Sequence, residues 1–259
     1  MKKKVLLPTV AWLGGIAGFA LRRWELATAY NPELRLMEKC PATWMLWALG
    51  AIVLVLFSLS CLRMGREKRS PDQWFYMPRT GYMTLAVCAG FLLMIAGLVG
   101  FWQQQNRIQK ELVAMLCYVL CLVGGGCVLM MGQAVYRGRW SRNTPILVMG
   151  PSFCTLVWLV ATYQENARQP EVGLFVWQIL SACAVVLALY GMVTLAIGRG
   201  GAGRTCVFTL MGISLSAITL ADGHDLADTL LYLFALIYLT AQAYLLLAST
   251  PDGQAEPEE

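Results

Sequence analysis

The sequence predicts an all-α fold, a polytopic transmembrane helix bundle of about eight spans with both termini on the cytoplasmic side. Three observations lead to this prediction. Only 14% of the 259 residues are charged and 58% are hydrophobic, whereas a soluble domain carries about 25% charged residues. The apolar residues occur in blocks close to the ~20 residues that a membrane-spanning helix needs. Basic residues are concentrated in alternate connections between these blocks, which orients the chain.

The apolar blocks place residues 1–248 in a single transmembrane domain. Spans are predicted at 5–21, 42–62, 82–102, 112–135, 145–163, 172–197, 205–220 and 229–248. The seventh span is the shortest and reaches only about 24 Å, so it either extends into Asp222 or crosses a thin part of the bilayer. The remaining residues, 249–259, are acidic and lack apolar residues beyond Ala255. They are expected to form a disordered cytoplasmic tail.

The first apolar block follows three lysines and could therefore be a signal peptide. However, no small-x-small cleavage site follows this block, and Arg22, Arg23 and Trp24 come directly after it. The block is therefore interpreted as a first membrane helix. Its GxxxG spacing, from Gly14 to Gly18, permits close contact with another helix in lipid.

The connection at residues 63–79 determines the predicted orientation of the whole chain. It carries five basic residues, which are Arg63, Arg66, Lys68, Arg69 and Arg79. A second basic connection carries Arg137, Arg139 and Arg142. Short basic loops are retained on the cytoplasmic side of a membrane. Together with the N-terminus and residues 198–204, the predicted inner segments hold thirteen of the twenty Lys and Arg residues, so the plasma membrane with an inside N-terminus is predicted.

Composition and motifs argue against several functions. The chain has nine cysteines and one histidine and no CxxC pair, so neither a disulfide framework nor a zinc site is predicted. It lacks HExxH, Walker A and GxSxG motifs, so no catalytic residue, metal ligand or cofactor is assigned and the protein is expected not to be an enzyme. The predicted spans hold almost no charge, which argues against ion-coupled transport. The net charge of +5 is attributed to topology rather than to a nucleic-acid partner.

The connection between the seventh and eighth spans is the first candidate site. It holds Asp222, His224, Asp225 and Asp228 without any Lys or Arg. Because neighbouring carboxylates favour the imidazolium, the pKa of His224 is expected to be raised. The functional interpretation is a pH-sensing or proton-relay hairpin or a weak divalent-cation site. The structural interpretation, which is favoured because such caps are common, is that Gly223 ends one helix while Asp225 caps the next and Asp228 lies near its N-terminal end.

The second candidate site is at the outer end of the first span, where Arg22 and Arg23 lie on the side that topology disfavours for basic residues. These arginines could pair with Glu25, Glu165 or Asp222 and close the bundle at the outer rim. Alternatively, they could form an anion or carboxylate site on an outward-facing cavity. Structural ion pairing is the preferred interpretation, because half-buried arginines usually find carboxylates.

Six polar side chains inside the predicted spans are expected to form hydrogen bonds between helices, each worth about 0.6–2 kcal/mol. They are Gln178, Ser181, Ser214, Ser216, Thr240 and Gln242. The two halves of the chain could also be related by a parallel repeat of four spans each, with chance similarity as the alternative.

Four stretches resemble a family of uncharacterised bacterial multi-span membrane proteins. They are GFALRRWELATAYNPE at 18–33, ATW at 42–44, WLVATYQENARQPE at 158–171 and LADGHDLADTLL at 220–231. The resemblance implies a bacterial inner-membrane location and assigns no functional residue.

Three functions are consistent with the sequence. The first is a non-enzymatic membrane scaffold or a subunit of a membrane complex, whose partners are the lipid bilayer and other membrane proteins or further copies of itself. The second is a small-solute permease or substrate-capturing component with an outward-facing site around Arg22, Glu25, Glu165 and Asp222. The third is an outward-facing pH or cation sensor built on residues 222–228.

Overall fold

The computed structural model of the chain describes residues 2–31, 36–37, 40–61, 71–107, 111–139, 144–167 and 172–249. Its helices are α1 (Lys2–Ala29), α2 (Pro41–Cys61), α3 (Pro71–Trp74), α4 (Thr80–Asn106), α5 (Leu112–Arg137), α6 (Thr144–Asn166), α7 (Val172–Ala196), α8 (Ala202–Thr219) and α9 (Leu226–Ala248). Two short strands, β1 (Tyr30–Asn31) and β2 (Leu36–Met37), pair antiparallel after α1. All helices except α3 are long and apolar enough to cross a membrane. The predicted bundle of eight spans is therefore confirmed. The orientation of the termini and the parallel repeat of four spans in each half stay predictions.

Helix α1 continues past the predicted end of the first span. It runs to Ala29, because residues 22–29 contain neither glycine nor proline to end a helix. Arg22 and Glu25 therefore lie on a helix, one turn apart, rather than in an outer loop. Helix α9 likewise begins at Leu226, so Asp228 belongs to its first turn.

Helices α8 and α9 form the centre of the bundle. In the most apolar 18-residue segment of each helix, 83% of the residues of α8 and 72% of those of α9 are buried, compared with 22% in α2. Helix α8 packs on α7, α1, α9 and α2, while α9 also packs along α4. Hydroxyls within α8 donate to carbonyls one turn back, as Thr209 does to Thr205, so the buried polar groups are satisfied. The shortest span is thus the most enclosed helix.

Glycines bring helices into close contact at two places. A Cβ added at Gly15 would lie 2.6 Å from the Cβ of Ala217 on α8, so the predicted GxxxG segment of α1 does make a close helix contact. A Cβ added at Gly125 of α5 would lie 2.7 Å from the carbonyl oxygen of Gly90 on α4. Because α5 is one continuous helix, Gly125 serves close packing rather than a break.

Most of the polar residues inside the spans bond between helices as predicted. Ser181 and Ser216 share a hydrogen bond of 3.0 Å between α7 and α8. Ser214 donates to the carbonyl of Ala11 at 2.9 Å. Gln242 is the exception, because its buried side-chain amide has no hydrogen-bond partner among the described residues.

Three of the predicted topology residues, Arg79, Arg137 and Arg139, are exposed. They lie at one end of the bundle, where the N–H of Met77 donates to the carbonyl of Val135 at 3.3 Å. The remaining predicted topology residues, Arg63, Arg66, Lys68, Arg69 and Arg142, lie outside the described residues. So does the predicted acidic tail beyond Ser249.

The predicted orientation can be tested by labelling cysteine in whole cells. Cys40 is a half-buried free thiol at the start of α2, on the predicted outer side, so a membrane-impermeant maleimide should label it in intact cells. A chain carrying Cys40→Ser and Arg139→Cys should be labelled only after the cells are permeabilised. The reverse pattern would show that the termini face outward.

Candidate functional site

The eight candidate residues divide into separate groups at one end of the bundle. Arg22, Glu25 and Asp222 form one buried group, here called the Arg22 cluster. Glu165 and Asp225 form an exposed group with Arg107, here called the Arg107 pair network. The other three, Arg23, His224 and Asp228, belong to neither group. Arg23 is exposed on α1.

Arg22 is the centre of the Arg22 cluster and is 0% exposed. Its Nε donates to Oδ1 of Asp222 at 2.8 Å, and its Nη1 donates to Oε2 of Glu25 at 2.7 Å. The carbonyls of Gly173 and Leu174, at the start of α7, accept from Nη1 at 3.3 Å and from Nη2 at 2.8 Å. A guanidinium carries five N–H donors, so protein atoms satisfy most of them.

Further hydrogen bonds extend the Arg22 cluster to two more helices. Thr43 of α2 donates to Oε1 of Glu25 at 2.6 Å. Gln178 of α7 donates to Oδ2 of Asp222 at 3.3 Å and accepts from Asn166 of α6 at 3.1 Å. The cluster therefore connects α1, α2, α6 and α7 with the α8–α9 connection.

Asp222 bonds to a buried cation yet remains costly to ionise. Burial raises the pKa of its carboxyl above the ordinary value of 3.8, although Arg22, His224 and Gln178 favour the charged form. Burial is the largest of these effects. The cluster is thus a desolvated group in which each charge depends on its partners.

The Arg107 pair network lies at the surface. Arg107 donates to Oδ2 of Asp225 at 2.6 Å and to Oε1 of Glu165 at 3.5 Å. The three side chains are 43%, 56% and 50% exposed, so each pair is worth at most about 1 kcal/mol. Burial alone would lower the pKa of Arg107, but the two carboxylates raise it overall. The sequence did not single out Arg107, which directly follows the polar end of α4.

The helix ends in the α8–α9 connection agree only in part with those predicted. Asp225 occupies the N-cap position of α9, but its side chain makes no capping hydrogen bond, because the carboxylate binds Arg107 instead. Helix α8 ends earlier, with Leu220 as its C-cap. Gly223 lies three residues further on and does not adopt the left-handed conformation, so it does not end the helix. The prediction that Gly223 ends the helix is therefore wrong. Asp225 does lie at the predicted N-cap position and Asp228 in the first turn of α9, although the side chain of Asp225 does not cap the helix.

The expectation of a raised pKa for His224 is also wrong. The ring is half-buried, and its centroid lies 4.7 Å from that of Tyr232. Nε2 lies 2.7 Å from the carbonyl oxygen of Thr219, so this nitrogen carries the proton and donates it. Burial lowers the pKa of His224 below the ordinary value of 6.5 and outweighs Asp222 and the other nearby carboxylates, which act to raise it.

Asp228 borders a small cavity that the sequence did not indicate. The cavity has a volume of about 20 Å³ and is also lined by Gln104, Arg107 and Glu165. Gln104 is 2% exposed, and its Nε2 has no hydrogen-bond partner in the part of the chain that the structure describes. A volume of this size holds about one water molecule, which could accept from Gln104 and donate to Asp228. Within the described ranges, no group of three His, Cys, Asp or Glu side chains could hold a metal ion.

Comparison of the chain with models of protein families, with curated proteins and with solved structures finds no match. The resemblance to uncharacterised bacterial membrane proteins therefore stays a prediction.

Replacing Arg22 with alanine should destabilise the protein strongly. The change leaves the carboxylates of Glu25 and Asp222 buried without a cation, which costs about 3–5 kcal/mol. Arg23→Ala is the matched control, because the neighbouring arginine is exposed and a surface change of this kind costs within about 0.5 kcal/mol. Unfolding of the purified protein in detergent measures both, and equal losses for the two variants would contradict the assignment of Arg22 as the buried centre.

Acidification should destabilise the protein through His224. Because its pKa is lowered from 6.5, its contribution to stability is present above that pH and is lost as the pH falls through the lowered pKa. Asp222 acts in the opposite direction, since its raised pKa gives stability that is lost as the pH rises above 3.8. The difference in melting temperature between wild type and His224→Gln isolates the histidine. Relative to this variant, wild type should lose stability from pH 7.5 to pH 5, and a constant difference would contradict the burial of the ring.

Proposed function

We propose that this integral membrane protein is a non-enzymatic scaffold or a subunit of a membrane complex. The observation that supports this proposal is that protein atoms accept hydrogen bonds from most of the N–H donors of Arg22. A ligand-binding arginine keeps donors for its ligand, whereas Arg22 is fully buried and makes four hydrogen bonds to protein atoms. The charged residues at this end of the bundle therefore favour a structural role.

A small-solute permease is less well supported. Its proposed outward-facing site needs Arg22, Glu25, Glu165 and Asp222 to act together, but Glu165 is bound to Arg107 at the surface. The cavity beside Glu165 has a volume of about 20 Å³, whereas pockets for small molecules typically have about 300–1,000 Å³. A solute that bound to Arg22 would have to displace the hydrogen bonds that the guanidinium makes to the protein.

An outward-facing pH or cation sensor is the second candidate. The N–H of His224 donates to the carbonyl of Asp222 at 2.9 Å, and Asp222 in turn binds Arg22. Charging the half-buried ring would require it to gain water or move, and the displacement would reach the Arg22 cluster through one backbone hydrogen bond. This geometry connects the titratable side chain of His224 to the Arg22 cluster, which joins α1, α2, α6 and α7 with the α8–α9 connection.

Extraction from native membranes tests the proposed function. The protein should leave the membrane in polymer-bounded lipid discs at a fixed stoichiometry with a partner or with further copies of itself, as measured by mass spectrometry after mild cross-linking. The purified protein should show no rise in melting temperature across a panel of metabolites, because a ligand of the folded state would stabilise it. A monomer whose melting temperature rises with one solute, and does not rise in Arg22→Lys, would favour the permease instead.

A further inference from the structure

Three free cysteines meet between α5 and α6. Cys117 and Cys121 lie one turn apart on α5, and Cys154 lies on α6. All three side chains are at most 1% exposed. Sγ of Cys121 lies 3.3 Å from Sγ of Cys154, and the thiol of Cys117 interacts with both of them. We refer to these three residues as the thiol cluster.

Glycines explain why the two helices approach closely beside the thiol cluster. A Cβ added at Gly124 of α5 would lie 3.4 Å from Cβ of Cys154. A Cβ added at Gly150 of α6 would lie 2.8 Å from Cβ of Cys127. The helix backbones are therefore in close contact one turn from Cys121. A disulfide requires its sulfur atoms to approach to about 2.0 Å, so a small movement of the two side chains would allow Cys121 and Cys154 to bond.

The small cavity at the rim of the bundle gives the thiol cluster a route to water. Cys117 is the member of the cluster that lines this cavity, together with Arg107 and Glu165. The side chains of Arg107 and Glu165 are 43% and 50% exposed. Cys117 is the sixth residue of α5, so it lies only about 8 Å from the end of the helix. A small solute that enters from the rim therefore reaches Cys117 before the other two thiols.

The size and the polar groups of the cavity match hydrogen peroxide. Its volume of about 20 Å³ admits about one molecule of the size of water, and hydrogen peroxide is a two-electron oxidant little larger than water. Nε2 of Gln104 has no hydrogen-bond partner among the described residues, so it can donate to a peroxide oxygen. The carboxylate of Asp228 lines the same cavity and can accept a hydrogen bond from a peroxide O–H. Quinones and oxidised glutathione are too large to enter.

We propose that hydrogen peroxide oxidises the thiol cluster to a disulfide between Cys121 and Cys154, and that Cys117 is the thiol that reacts first. Sγ of Cys117 attacks one peroxide oxygen, the O–O bond breaks, and the thiol proton leaves with the hydroxide as water, which gives a sulfenic acid. Sγ of Cys154 then bonds to Sγ of Cys117 and displaces the sulfenic hydroxyl as a second water. Sγ of Cys121 attacks Sγ of Cys154, and its proton passes to the released thiol of Cys117. In total, two thiols and one peroxide give one disulfide and two water molecules.

The product would tie α5 and α6 together covalently, whereas packing alone holds them in the reduced protein. This oxidation is independent of the proposed scaffold function, since it requires no partner chain. Failure of either proposal therefore leaves the other intact.

Cleavage of the connection between α5 and α6 tests the disulfide. A protease site inserted there lets the folded protein be cut in detergent into two fragments, which only a disulfide holds together in SDS without reductant. Because Cys61 and Cys206 also interact and lie on different fragments, Cys206→Ala is present in every variant, including the parent. Hydrogen peroxide should join most of the fragments. Cys154→Ala should abolish the joining, whereas Cys183→Ala, which removes a half-buried thiol outside the cluster, should not. Fragments that stay separate in the parent, or that join in Cys154→Ala, would overturn the proposal.

Substitution of Cys117 tests the order of the reaction. Cys117→Ala should slow joining by hydrogen peroxide by at least about tenfold, whereas joining by iodine, which dissolves in lipid and needs no cavity, should be unchanged. Cys127→Ala, on the same helix but outside the cluster, should react like the parent with both oxidants. In a variant that carries Cys121→Ala and Cys154→Ala, the sulfenic acid of Cys117 should persist and be trapped by dimedone, which mass spectrometry detects. Equal rates with peroxide in the parent and in Cys117→Ala, or no dimedone adduct on Cys117, would overturn the proposal.

Discussion

The buried charge of Arg22 is the constraint on which one end of this bundle depends. A guanidinium removed from water costs several kcal/mol unless carboxylates and carbonyls replace the water. Two helices and one connection provide these groups, which are Glu25 on the same helix, the carbonyls at the start of α7 and Asp222 after α8. The helix ends must therefore meet at one point, which fixes their relative heights in the membrane.

The two ends of the bundle are built on different physical principles. Polar contacts of the Arg22 cluster close one end, and Thr43 brings even the peripheral helix α2 into it. In the middle, small residues let helices approach closely, as Gly15 does against Ala217. At the opposite end an apolar groove lies between α1 and α4, and Thr240 and Tyr244 of α9 also line it.

Much of this fold follows from the sequence, because the long apolar blocks determine the number of helices that can cross a membrane. The pairing of Arg22 with Glu25 and Asp222 was among the predicted alternatives, since few carboxylates lie at the predicted rim. The partner of Glu165 was not predictable. Arg107 reaches it only because α4 and α6 end at the same rim, and this arrangement depends on how the helices pack.

Burial explains the remaining differences between sequence and structure. The carboxylates next to His224 are visible in the sequence, but the packing of its ring on Tyr232 is not, and burial decides the direction of its pKa shift. Similarly, Asp225 has the right position and residue type for a helix cap, but a distant arginine takes its carboxylate. Gln104 looked like one of several polar residues that end α4, and only the structure shows that its amide is buried beside a cavity.

A double-mutant cycle on Arg22 and Asp222 tests most directly whether the Arg22 cluster holds the helix ends together. The free energy of unfolding would be measured for wild type, Arg22→Met, Asp222→Asn and the double variant. Direct, buried contact predicts that the double variant loses less than the sum of the single losses, with a coupling energy of at least about 1.5 kcal/mol. Additive losses would contradict a cluster in which the two charges stabilise each other.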